Sequence, residues 1–314
     1  MATRQRKPQP EPNPSAGKKA VDAIHRVEKK FERALTCMWD DLQQWQRDNH
    51  FILSGYRPAT ESFMKCFRSL FYFHNESINI YTHLLGAALF LALLPQIPQL
   101  LHRYPTATSS DITASSVFLL SAVTCLGLSA TYHTISNHSH RIAKFGNQLD
   151  YLGIIILIVG SYLPTVHYGF HQCHPSLGRG YSIMMLLLGA ACTAVTLMSR
   201  FRTPAYRPFR AGMFVLLGVS GVIPVVHGMQ LYGGFMALDA RIGLRWVLTE
   251  GAMYILGAGI YAARVPERWA PGRFDLVGAS HQVFHCFVVA AAVAHLKGLV
   301  VAFDFLHGMD VGKC

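Results

Sequence analysis

Seven apolar stretches divide the chain, at roughly 79–101, 112–133, 147–168, 181–199, 209–230, 244–263 and 280–302. Each approaches the ~20 residues a helix needs to cross a hydrocarbon core. Lipid offers no partner to a backbone N–H or C=O, so crossings of this length satisfy those groups internally and are helices. The positive mean hydropathy of +0.27 comes from these runs and not from an even scatter of apolar residues. The expected fold class is an all-α membrane protein, a seven-transmembrane helix bundle. It is expected to be integral and multi-pass, in the plasma membrane or an endomembrane.

An odd number of crossings leaves the termini on opposite sides, and the basic residues say which is which. Of the 28 Lys and Arg, 22 precede the first run or fall in the second-to-third, fourth-to-fifth and sixth-to-seventh connections. In the short loops alone the same face leads by nine to four. Cytosolic loops hold the excess of Lys and Arg, so a cytosolic N-terminus and an outside C-terminus are expected. The net charge of +11 then gathers at the cytosolic face, where anionic headgroups attract each basic residue by about 1 kcal/mol. Membrane lipids are the expected partners, and nucleic acid is not. Seven Cys without a Cys-x-x-Cys pair indicate neither a disulfide framework nor a thiolate metal site.

Four regions follow along the chain. Residues 1–19 are polar, Pro-rich and basic, the composition of a disordered tail. Residues 20–78 carry two cytosolic segments. In the first, Val21, Ile24, Val27, Phe31, Leu35, Met38, Leu42 and Trp45 recur every three or four residues, as in an amphipathic helix. In the second, Glu61 to Phe73, the apolar Phe63, Met64, Phe67, Leu70 and Phe71 lie beside Lys65 and Arg68, an interfacial pattern. The transmembrane domain is expected over 79–302, with a short outside tail at 303–314. Pro164 and Pro224, each three residues before a His, predict kinks in the third and fifth crossings.

This topology brings four ionisable side chains to one face. The second crossing runs inward and ends at His133, the third starts outward with Asp150 about one turn inside, and His281 and His285 open the seventh. Four-residue spacing on a helix points both of the last two imidazoles the same way. Three neutral imidazoles fill three positions of tetrahedral zinc and leave the fourth to water, the pattern of a catalytic site. Zinc can bring the pKa of such a water down to ~7. A carboxylate inside a span costs roughly 2.5–3.5 kcal/mol at the bilayer centre, so Asp150 is expected to face the bundle interior. There it is either a general base toward a bound carbonyl or a structural hydrogen-bond acceptor. Ser129, one turn before His133, either serves a ligand or bonds back to its own helix.

Other polar residues have plainer readings. His83 is a candidate fourth ligand, while Glu76 and Asn79 read as ties of a helix start. Glu267 and Asp275 flank a Pro-Gly turn and are expected to anchor it. An outer set, His167, His227, His295 and Glu250, reads as interfacial groups bonded to backbone or water. Lys297 falls near an outer helix end, where a lysine snorkels to water, which argues against a retinal Schiff base.

Three blocks resemble the signature of the progestin and adipoQ receptor family: HNESINIYTHLLG, containing Glu76, Asn79 and His83; SATYH followed by QLDYLG; and PERWAPGRFDLVGASHQVFH. That family includes the adiponectin receptors and the fungal zinc-homeostasis membrane proteins and, more distantly, the haemolysin III and alkaline ceramidase groups. The likeness runs from about residue 45, where WQRDNHFILSGYRP is similar to the family's pre-membrane segment, to about residue 298. Tyr81 stands where the family often has Trp. The resemblance implies seven helices with a cytosolic N-terminus and Zn2+ held by His133, His281 and His285. It implies that Asp150 acts on the reacting water, that Ser129 belongs to the same site and that His83 is structural. The implied activity is ceramidase-like hydrolysis of a lipid amide, with a part in lipid and zinc homeostasis. The alternative is a membrane receptor in which zinc is structural and an extracellular ligand signals to cytosolic partners; a third reading is a transporter or zinc-balance regulator.

Overall fold

A computed structural model describes residues 35–101, 104–202 and 206–308. The tail at 1–19 and most of the Val21–Trp45 pattern lie outside the described residues, as do residues 309–314. What is described of that pattern corrects the expectation of one amphipathic helix. Met38, Leu42 and Trp45 sit in or beside two single 3-10 turns, Trp39–Asp41 and Gln44–Gln46. The cause is competition for backbone donors. The N–H of Cys37 donates to the carbonyl of Tyr56 at 2.7 Å and that of Trp39 to the carbonyl of Leu53 at 3.0 Å, so neither is available to a helical carbonyl four residues back.

Helix α1, Phe63–Arg68, begins at Ser62, whose hydroxyl accepts from the backbone N–H of Lys65. Phe63, Met64 and Phe67 on it are exposed, as the interfacial reading expects. Helix α2, Ser77–Leu93, passes through a 3-10 turn at Leu94–Gln96 into the short α3, Ile97–Leu101. The long α4, Ser109–Ile135, and α5, His140–Phe170, form an antiparallel pair followed by α6, Pro175–Leu197. The fifth predicted crossing is two helices, α7, Arg207–Val219, and α8, Val222–Tyr232. The interruption at Ser220–Gly221 falls where the ring of Pro224 would meet the carbonyl four residues earlier. Pro164, by contrast, lies inside the unbroken α5. A short α9, Phe235–Ile242, leads to α10, Leu244–Ala263, and α11, Ser280–His307, closes the bundle.

Six helical stretches among the described residues are long and apolar enough to cross a membrane: Ser77–Gln99, Ser109–Ile135, His140–Phe170, Pro175–Leu197, Gly212–Tyr232 and Ser280–His307. The sixth predicted crossing, 244–263, coincides with α10. It is not among the six because Arg245 and Glu250 reduce its apolarity. Exposed leucines such as Leu84, Leu85 and Leu89 on α2 and Leu186 and Leu187 on α6 show that the helices are apolar on their outer faces too, which is how a helix in lipid differs from one in water.

The largest buried cluster joins α2, α4, α5 and α11 through Phe90, Phe118, Leu126, Leu157, Val288 and Phe303. Small residues set how close these helices come. A Cβ built on Gly160 of α5 would lie 2.0 Å from the Ser121 hydroxyl oxygen on α4, and one on Gly153 would lie 3.0 Å from the Cα of Cys125. Lipid supplies no hydrophobic drive between helices, so close backbone approach at small residues supplies the packing energy. The same approach carries Asp150 toward α4.

Candidate metal centre

His133 occupies the last turn of α4, and His281 and His285 the first two turns of α11. Their rings form a near-equilateral triangle, with centroids 5.0 Å apart for His133–His281, 4.8 Å for His133–His285 and 4.7 Å for His281–His285. One nitrogen from each lies within 4.8 Å of the other two. His133 and His285 are buried and His281 is half-buried. The three histidines singled out in the sequence are thus brought together, and among the described residues this is the group able to hold a metal ion.

The far side of the rings shows which nitrogens are committed elsewhere. His133 Nδ1 donates to Glu76 Oε2 at 2.7 Å, and His285 Nδ1 donates to the backbone carbonyl of Asn79 at 3.1 Å. With Nδ1 protonated, each Nε2 keeps its lone pair. His133 Nε2 is buried and has no hydrogen-bond partner. A buried nitrogen without a partner is costly, and one divalent cation at the convergence of the rings would satisfy it. Donor type, convergence and tautomer all fit a metal that accepts imidazole nitrogen, and metal-ligating histidines are usually oriented by such outer carboxylate and carbonyl acceptors.

Glu76 therefore does more than tie a helix start. The same Oε2 accepts from Asn79 Nδ2 at 2.7 Å as well as from His133. Two N–H donors on one oxygen favour its charged, carboxylate form. The signal was present in the first block, since residues 76, 79 and 83 line one face of α2. What that face meets was not readable. His83 stacks on His285 at 3.7 Å with the planes 10° apart, so its nitrogens lie beside the triangle and outside it.

Asp150 lies one helix away on α5, within interaction range of both the His133 imidazole and the Ser129 hydroxyl. Ser129 is buried on α4, one turn before His133. The Asp150 carboxylate and the Ser129 hydroxyl thus lie near one another between α5 and α4.

Glu267 and Asp275 anchor the segment before α11, as expected. Glu267 Oε2 accepts from the backbone N–H of Ser280 at 2.8 Å, and Asp275 accepts from the Leu53 N–H and the Ser54 hydroxyl. The outer set divides into separate pairs. His295 Nδ1 donates to Glu250 Oε2 at 2.7 Å, His227 pairs with the Tyr181 hydroxyl, and His167 stacks on His171. Lys297 Nζ sits 5.0 Å from the Trp246 ring.

Comparison with known proteins gives the chain's family. Residues 71–296 match the model of the family described as haemolysin-III related. The chain is 42% identical over 293 residues to the ADIPOR-like receptor IZH2 of Saccharomyces cerevisiae, covering 93% of this chain and 92% of that protein. It is 41% identical over 281 residues to the adiponectin receptor protein of Drosophila melanogaster and 39% identical over 274 residues to the progestin and adipoQ receptor-like protein 1 of Caenorhabditis elegans. Those two matches cover 89% and 87% of this chain, and 62% of each relative.

Proposed function

Because the chain belongs to the haemolysin-III-related family of multi-pass membrane proteins, alongside the adiponectin-receptor-like proteins, we propose that it is a zinc-dependent lipid amide hydrolase acting on a ceramide-like substrate. The observation that carries the reading is the convergence of one nitrogen from each of His133, His281 and His285 within 4.8 Å. The commitment of two opposite ring nitrogens to Glu76 and to the Asn79 carbonyl supports it.

In this reading the chain crosses the membrane seven times, with α10 as the sixth crossing and the N-terminus cytosolic. The bias of Lys and Arg supports that orientation.

Bound at the three imidazoles, zinc supplies a Lewis acid that polarises a carbonyl and acidifies water. The chain's own groups do the rest. The substrate enters sideways from the bilayer with its acyl chain between helices. Asp150 takes a proton from water as the water oxygen bonds to the amide carbon, and returns it to the nitrogen as the C–N bond breaks. The products are a free fatty acid and a sphingoid amine. Ser129 donates a hydrogen bond on the α4 side of the site. Glu76 and the Asn79 carbonyl hold two of the rings in the productive tautomer.

Purified protein in detergent, supplied with ceramide, should release free fatty acid; the release should stop on chelation and return with zinc. A second reading, that of a receptor in which zinc clamps helices, is favoured by the word receptor in the relatives' names. Binding of an extracellular ligand with no lipid turnover would select it, and zinc flux in sealed vesicles would select a transporter instead.

A further inference from the structure

The segment before the first crossing is bonded to both of the helix ends that carry the histidines. Arg57 is 3% exposed and donates to the backbone carbonyl of His133 itself, to that of Thr134 at 2.9 Å, and to the hydroxyls of Ser69 at 2.8 Å and Ser136 at 3.1 Å. The last carbonyls of a helix have no partner within it, and a cation there complements the negative end of the helix dipole. Arg57 therefore closes the C-terminus of α4 at the residue that carries the first imidazole. Thr60 and Glu61 extend the join, their N–H groups donating to the carbonyls of Asn137 and His138 at 3.0 and 2.9 Å.

The other end of the segment reaches α11. Asn49 Nδ2 donates to Glu267 Oε1 at 3.0 Å, and Glu267, fully buried, accepts from both the N–H and the hydroxyl of Ser280, the first residue of α11 and the neighbour of His281. A carboxylate there complements the positive end of that helix. Between these points Leu53 and Ser54 bond to Asp275, and the carbonyl of Gly55 accepts from Asn75 N–H at 2.9 Å, one residue before Glu76. Two buried charges of opposite sign thus sit on two helix ends of opposite polarity, joined by one stretch of chain.

We infer that residues 49–61 form a strap that sets the distance and rotation between the ends of α4 and α11, with Arg57 and Glu267 as positioning residues for the histidine triangle. The inference rests on the metal-centre reading above. Lys cannot replace Arg57, because a single ammonium cannot serve acceptors spread over Ser69, His133, Thr134 and Ser136 as the planar fork does. By reciprocity, whatever the strap does for the metal the metal does for the strap.

The test compares full-length wild type, Arg57→Lys, Arg57→Ala, Glu267→Gln and a control, Leu217→Ala. Leu217 lies in a separate apolar cluster of α5, α6 and α7. Zinc affinity is read by chelator competition, thermal stability by the unfolding midpoint, and geometry by the visible spectrum of the Co2+-substituted protein. The strap variants should hold zinc about 10- to 100-fold more weakly, as loss of groups that orient ligands does, with an altered Co2+ spectrum. The control should lose midpoint but keep both affinity and spectrum. In wild type, removing zinc should speed amide exchange at Leu53, Thr60, Asn75 and Ser280, a measurement that does not depend on any variant folding. Wild-type affinity and spectrum in the strap variants, or exchange at those amides unmoved by zinc, overturns the strap and leaves the metal centre standing. Wild type that takes up no metal overturns both.

Discussion

Glu76 offers the sharpest test of how the metal centre is held. One carboxylate oxygen receives two N–H donors at 2.7 Å, from His133 and from Asn79. A hydrogen bond involving a charged group contributes about 1.5–3 kcal/mol net. Only the share that grows when the imidazole binds a cation appears in metal affinity. Loss of such an outer carboxylate typically weakens binding about 10- to 100-fold, or roughly 1.4–2.8 kcal/mol at 1.4 kcal/mol per decade, which overlaps that range. Glu76→Gln keeps an oxygen able to accept from both donors and removes the charge, so it should sit near the tenfold end. Glu76→Ala leaves His133 Nδ1 and Asn79 Nδ2 without an acceptor and frees the ring to turn, so it should reach the hundredfold end. Competition with a chromophoric zinc chelator on purified protein gives both affinities. Equal affinities for wild type and Glu76→Ala would refute the role of this carboxylate and the tautomer assigned to His133.

Three other outcomes are expected. Asp150→Asn should retain zinc near full occupancy, since Asp150 is not one of the three ligands, while abolishing ceramide hydrolysis; retained fatty-acid release would remove Asp150 from the reaction. Gly160→Ala should destabilise by about 1–3 kcal/mol, the usual cost of overpacking, because its Cβ would overlap Ser121 on α4. Gly127→Ala on the same pair of helices meets nothing within 4 Å and should stabilise by about 0.4–1 kcal/mol, so thermal midpoints moving the same way would refute the packing argument. Truncating either Glu250 or His295 to Ala should cost about 1–3 kcal/mol by leaving a buried polar partner unsatisfied; the double variant should cost less than the sum of the singles, and strict additivity would show the pair to be uncoupled.

Helix placement was legible because the bilayer reduces it to a length rule. The predicted stretch 244–263 coincides with α10, and 280–302 lies within α11, which continues to His307. The histidine triangle was legible for a related reason. Four-residue spacing places His281 and His285 on one face, and the alternating direction of the crossings puts His133 at their level. The region before Ser77 was less so. Met38, Leu42 and Trp45 keep helical spacing, but the donors of Cys37 and Trp39 go to residues 53–56, and hydrophobic periodicity carries no information about long-range backbone pairing.

Two of the contacts made at the helix ends share a physical character. Arg57 acts on the backbone carbonyls of His133 and Thr134, and Glu267 on the backbone N–H of Ser280. Every residue presents those groups, so nothing in the sequence marks the recipient. A buried ion at a helix end is nevertheless expensive unless the helix dipole and the unpaired terminal groups of that end offset its desolvation. Arg57 is such a buried charge, placed at the C-terminus of α4. Glu267 is likewise a buried charge, placed at the N-terminus of α11. In a bundle where lipid supplies no other polar partners, each charged residue close to a crossing can be assigned first to the helix end of opposite polarity, and only afterwards to solvent.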